Sequence, residues 1–349
     1  MTDTTNSAEN RTTVSEPASA GLRRNHRRGI PNLDRTAVGS PITRLGISFF
    51  PLYLVGNDLP EIATGPNTGL VIEELAASRV PFLNVTNPTD KRVLIPEGEQ
   101  FVGGLQDRTL NTGVLIPPRS TLKIPVSCLE QGRWGNRRSF ERGEAFVPRR
   151  TRRTKNLSVS ESIRSHGSRQ SDQSDVWRSI DEELARTGVR SATRAVRDAE
   201  RSTYRDARQA NAVRDLAKRG PLPGQCGVAV THGRWVVAVD IFGNQNLLVP
   251  HWEGLVRSYL MERPDPKGHP SASRVMHIIR RLAQAPVMAT HGVGEGIELH
   301  LNHPRLAGHA LMLSDAVVHV SAFTVSKHQL EEAAGRSDGL GDGDRRVTG

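Results

Sequence analysis

Only two cysteines, Cys128 and Cys226, occur in the 349 residues. That count excludes a disulfide framework and a four-cysteine zinc site, and it suits reduced thiols in a cytoplasmic protein. Long apolar runs are also missing. No stretch approaches the roughly 20 apolar residues of a membrane-spanning helix, and the first residues lack the apolar segment of a secretory signal. Standard cofactor motifs are absent as well. Neither the Gly-x-Gly-x-x-Gly dinucleotide fingerprint nor the phosphate loop ending in Gly-Lys-Ser/Thr is present, and no cofactor is expected. No His-Glu-x-x-His motif links His291, His300, His303, His309 and His319, so no metal site is expected either.

The chain has charge in abundance, unevenly placed. Its formal net charge is +10. Residues 133–219 hold 22 Arg or Lys against 12 Asp or Glu, whereas residues 46–132 hold six against nine. A basic strip attracts phosphate-rich partners without specifying a fold.

Apolar and β-branched runs dominate the first half of the chain. Val114 and Ile116, then Leu122, Ile124 and Val126, repeat at the strand period of two. Short strands are expected across residues 46–132 and again after Gly227. Residues 135–170, rich in Arg and Ser, read as a long surface loop. A helix is expected over 175–186, with Trp177, Ile180 and Leu184 on one face and Gly188 as its stop. A longer one, with a stripe of small residues, is expected over 189–219. The fold class is therefore α+β, a β-rich antiparallel sandwich or barrel-like core with a helical insertion. Residues 44–331 form one domain in this reading. Residues 1–43 and 332–349 have too little apolar surface to offset their ordering entropy and read as disordered tails.

Reactive side chains concentrate in residues 95–134, at expected strand ends and turns. Glu97 and Glu99 lie two apart, so a strand would face both to one side. Such a pair can share a proton or bind a cation, or simply be solvated. Alternation also aligns Gln106 with Arg108, an amide and a guanidinium fork suited to a carboxylate, phosphate or base. A structural ion pair is the competing role. Gly98, Gly103 and Gly104 suit a turn or bulge as well as a ligand contact. Cys128 could be a nucleophile only if a base such as His232 or His251 arrives through the fold; otherwise it is a buried, inert thiol. Glu130, Arg133 and Trp134 follow, the indole able to stack on a base or cover a core edge. Farther on, Asp240 sits near a strand end as a candidate ligand or catalytic carboxylate.

Together these blocks resemble the ADP-ribosylglycohydrolase- and rhodanese/phosphatase-associated protein domain. The resemblance rests on Pro96-Glu97-Gly98-Glu99, Gly103-Gly104-x-Gln106-x-Arg108, Pro125-Val126-Ser127-Cys128-x-Glu130 and Gly132-Arg133-Trp134. Trp177, Asp240-x-Phe242-Gly243 and Ser258-Tyr259 extend it over roughly residues 46–325. Asp107 departs from the amide expected between Gln106 and Arg108, and an acid there would repel a ligand phosphate. The resemblance implies a role near NAD-derived metabolites and carries no reaction or catalytic residues with it. The expected function is binding or processing of an ADP-ribose- or nucleotide-like small molecule. Arg108 and Arg133 would face phosphate, Gln106 and Glu99 would orient polar groups, and Trp134 would stack. Glu97 or Glu130 would serve as acid or base if there is catalysis. The alternatives are a nucleic-acid-associated basic module and an interaction protein without catalysis. No membrane partner is expected, and the oligomeric state is left open.

Overall fold

The computed structural model describes residues 25–75, 81–133 and 139–326. The described chain opens with β1 (Asn25–Arg28), β2 (Thr36–Val38), β3 (Ile42–Arg44) and β4 (Ile47–Leu54). The next group is β5 (Ile62–Thr64), β6 (Val71–Glu74), β7 (Phe82–Asn87), β8 (Arg92–Ile95), β9 (Glu99–Gly103), β10 (Arg108–Leu110), β11 (Val114–Ile116), β12 (Ser120–Cys128) and β13 (Phe140–Phe146). Helices α1 (Arg149–His166), α2 (Gln173–Thr187), α3 (Val196–Arg205) and α4 (Ala207–Arg219) follow. Strands then return as β14 (Gly227–His232) and β15 (Trp235–Phe242), before the short α5 (Gln245–Leu248), α6 (Trp252–Leu260) and α7 (Ala272–Gln284). The described chain closes with β16 (Pro286–His291), β17 (Ile297–Leu301), β18 (Leu306–Leu313) and β19 (Ala316–Thr324).

The fold is α+β, with mostly antiparallel sheets. The largest sheet runs β1-β16-β17-β18-β19-β15-β14-β4-β2, with β3 also on β4. One face packs on α7 through Val275, Ile279 and Leu282, and the other on α4 and α6 through Leu216, Leu255 and Tyr259. Both faces are covered, so β15, β18 and β19 are buried almost end to end, mostly with apolar residues, rather than in alternation. A second sheet, β13-β9-β10-β12-β7-β6, and a small one, β11-β8-β5, carry the motif-rich half of the chain. There β7 alternates as the sequence suggests, with Leu83 and Val85 buried and their neighbours half-exposed.

The helix over α2 forms as expected. Asp172 caps it by accepting from the backbone N–H groups of Ser174 (2.8 Å) and Asp175 (3.2 Å), and Gly188 ends it in the left-handed region. Three expectations fail. Residues 25–43 are not a disordered tail: β1 pairs with β16, and β2 and β3 pair with β4. Backbone pairing offsets the ordering entropy that composition alone leaves uncovered. Residues 1–24 and 327–349, which hold the remaining tail expectations, lie outside the described residues. The basic, Ser-rich segment expected as a loop over 135–170 instead contains β13 and the whole of α1, residues 134–138 lying outside the described ones. The single helix expected over 189–219 is two, broken at Asp206, whose extended backbone and side chain cap α4 through Arg208 N–H at 2.9 Å.

Candidate functional site

The face of α1 that packs inward is charged. Its buried residues include Arg149, Arg152, Lys155 and Asn156 ahead of Val159 and Ile163. Arg152 reaches Glu97 (3.0 Å) and Asp240 (2.7 Å), and Lys155 reaches the other oxygen of Glu97 at 2.7 Å. All four side chains are sealed from solvent. Ser321 donates to Glu97 (2.9 Å), Tyr259 donates to Asp240, and Lys155 also donates to the Leu110 carbonyl. The Arg152 guanidinium sits 5.2 Å from the Phe146 ring centroid and 5.0 Å from that of Phe323. Two cations thus balance two carboxylates between the sheets.

This network fixes several protonation states. Burial works against the charge on Glu97, but Lys155 and Arg152 outweigh it and hold the carboxyl down at about 2. Burial pushes His309 and His319 down to about 3, so both are neutral. The Gly113 N–H donates to Nε2 of His309 (2.9 Å), leaving Nδ1–H to face Asn156 Oδ1 at 3.1 Å. The turn at Glu97 needs Gly98, which has φ +83°, because a Cβ there would lie 2.4 Å from Nε of Arg152.

Most of the residues singled out in the sequence belong to this kind of ionic skeleton. Glu97 is at its centre and touches no solvent. Glu99, also buried, is gripped by both ends of the Arg142 guanidinium. Arg108 is fully buried and donates to the carbonyl and side chain of Gln106 (3.2 and 3.1 Å), with Glu74 at 3.7 Å. Its Nε and Nη2 are buried with no hydrogen-bond partner among the described residues. Gln106 is buried too and donates to the Gln131 carbonyl at 3.3 Å. Gly104 lets the Phe140 ring approach to 2.0 Å of where a Cβ would stand. Trp134 lies outside the described residues.

Cys128 is buried, and burial raises its thiol above the ordinary value despite Arg108. Neither histidine proposed as its base joins it: His232 lies 3.7 Å from Glu262, and Nε2 of His251 is 2.7 Å from Thr64. Iodoacetamide should therefore leave Cys128 and Cys226 unmodified in the native protein and label both after denaturation. Rapid native labelling of Cys128 by mass spectrometry would restore a thiol mechanism.

Glu130 and Arg133 are brought together where solvent enters. Arg133 donates to Glu130 (2.7 Å), to Asp107 (2.9 Å) and to the carbonyls of Gly103 and Gly104. Asp107, the residue that departs from the expected amide, anchors Arg133 and also meets Arg197 of α3 at 3.4 Å. Its charge is neutralised by the wall it builds. These residues line a hollow of about 350 Å³ together with Arg197 and Arg201. A second hollow of about 290 Å³ shares Val102, Arg197 and Arg201 with the first and adds Gln100, Glu200, Tyr204 and Arg257. The two make one groove along α3.

Glu200 is the unusual member. Burial raises its carboxyl to about 7, and the hydrogen bond it accepts from Gln100 only partly opposes that. Arg201 is largely exposed, its nearest carboxylate being Asp198 at 3.9 Å. With both these groups, α3 carries the side chains that sequence reasoning missed, because the arginines and acids flanking its stripe of small residues read there as solvated. Of the basic segment, Arg149, Arg152 and Lys155 point inward, whereas Arg164, Arg194 and Arg219 stay exposed.

The chain matches the ARG and Rhodanese-Phosphatase-superfamily-associated Protein domain over residues 35–323. It belongs to that family. No curated protein and no solved structure matches it. The family blocks recognised in the sequence are thus mainly the buried ionic skeleton, and the groove of α3 lies beside them. Among the described residues, no helix is long and apolar enough to cross a membrane, and no three His, Cys, Asp or Glu side chains are grouped to hold a metal ion.

Proposed function

We propose that this chain binds a phosphate-bearing, nucleotide-like metabolite of the ADP-ribose kind in the groove along α3. The carrying observation is the pair of adjoining hollows that share Arg197 and Arg201. Their volumes suit a ligand of nucleotide size, since small-molecule sites run from roughly 300 to 1,000 Å³. Arg201 has an exposed guanidinium with one distant partner, free to fork onto phosphate oxygens. Arg197 stands beside it, while Arg133 is tied into the wall by Glu130 and Asp107. The family's name associates it with ARG and with the rhodanese-phosphatase superfamily, and ARG taken as an ADP-ribosylglycohydrolase fits the same ligand class.

Calorimetry with ADP-ribose and with NAD tests the reading. Binding should be measurable for the wild type and about tenfold weaker for Arg201→Ala, a loss of about 1.4 kcal/mol. No binding heat from either ligand would remove the proposal.

A further inference from the structure

The groove has two chemically different halves. Arg197, Glu200, Arg201 and Tyr204 stand at i, i+3, i+4 and i+7 on α3, one stripe that lines the groove. Seven residues of helix rise about 10 Å, so the stripe spans about the length of a sugar phosphate with its substituents. Arg197 and Arg201 border both hollows, whereas Glu200 and Tyr204 border only the second. In that half, Gln100 donates to one oxygen of Glu200. A carboxylate accepts more hydrogen bonds than that one. The Tyr204 hydroxyl is buried and has no partner among the described residues, and the Arg257 guanidinium lies 5.2 Å from its ring centroid. A buried hydroxyl without a protein partner has its bond completed by water or by a ligand, and this one borders the groove.

We propose that Glu200, Gln100 and Tyr204 form a hydroxyl-reading subsite that takes the vicinal diol of a ribose-like sugar whose phosphate lies on Arg197 and Arg201. This rests on the phosphate reading of the groove and adds the sugar to it. The order of charges along the stripe orients the ligand. An anionic group is drawn to the guanidiniums and repelled by the carboxylate, whereas sugar hydroxyls donate to the carboxylate and accept from the phenol. Acidic side chains select ribose hydroxyls by the same chemistry in dinucleotide-binding folds. The upward shift of the Glu200 carboxyl reflects a desolvated group short of donors, the condition that bound hydroxyls relieve.

The test uses the full chain and three probes, ADP, 2′-deoxy-ADP and inorganic pyrophosphate, with binding followed by calorimetry. The wild type should bind ADP about tenfold tighter than the deoxy probe, the loss expected for one hydrogen bond to a charged acceptor. Glu200→Gln keeps the size of the side chain and an acceptor for Gln100. It should bring the two nucleotides to within about twofold without weakening pyrophosphate. Tyr204→Phe, which removes only the hydroxyl, should weaken ADP several-fold and provides the same reading if the first variant folds poorly. Equal wild-type affinity for ADP and its deoxy form, with pyrophosphate bound, would overturn the subsite and leave the phosphate groove standing. Failure of all three probes to bind would remove both.

Discussion

Arg152→Met should lower the melting temperature by about 10 °C, corresponding to a loss of roughly 3–5 kcal/mol. The substitution keeps an apolar stem between Phe146 and Phe323 but removes the cation that serves both Glu97 and Asp240. Lys155 would then be the one remaining cation against two sealed carboxylates, with no water to solvate the excess charge. The destabilisation comes chiefly from those unpaired charges rather than from the intrinsic strength of the ion pairs. Adding Asp240→Asn should therefore restore part of the lost stability, because the surplus carboxylate disappears while Lys155 keeps Glu97 as its partner. A single variant melting within about 2 °C of the wild type would show that the network is not a major source of stability. Groove binding should survive in the folded fraction, since Arg152 does not line the groove.

Acid should unfold the protein from the neutral side, beginning near pH 6.5. His309 and His319 titrate at about 3 in the folded state, against 6.5 when exposed, and His232 at about 4. Each contributes stability that is complete above pH 6.5, where the folded and unfolded forms are both neutral. As pH falls below 6.5 the unfolded chain takes up protons that the folded chain refuses, so stability drops. Glu97 and Glu262, held at about 2 against 4.5, act in the same direction below pH 4.5. Each unit of difference is worth about 1.4 kcal/mol per group, so several kcal/mol should be lost between pH 7 and pH 4.5. Urea midpoints at pH 7, 5.5 and 4.5 would measure this. His319→Phe should flatten the slope by removing one such group, and neither nitrogen of His319 has a hydrogen-bond partner to lose among the described residues. A wild-type midpoint that does not change between pH 7 and pH 5 would contradict the buried neutral histidines.

Much of the fold was legible, and the reason is local. The period-two runs at Leu122, Ile124 and Val126 became β12, and Gly188 ends α2 through backbone geometry that needs no distant partner. Helix α1 was illegible for the opposite reason. Hydrophobic periodicity finds a helix by its apolar stripe, and the first half of this stripe is Arg149, Arg152, Lys155 and Asn156. Those residues can face inward only because Glu262, Glu97 and Asp240 wait there, and they come from elements as far as 113 positions away.

The candidate site divides along the same line. Composition and spacing by themselves determined a β-rich α+β chain and the stretch where polar and charged side chains cluster, and the motifs in that stretch carried the resemblance to its family. Whether Glu97, Glu99, Gln106 and Arg108 meet a ligand or hold the fold together depends on solvent access and counter-charges, which no pattern within residues 95–134 contains. Tertiary structure sealed those four, left Glu130 and Arg133 at a solvent-reached edge, and set α3 against them with Arg197, Glu200, Arg201 and Tyr204 facing the gap. Charge patterns are local, but burial is a property of the whole packed chain, and burial is what turns a charged residue into skeleton or site.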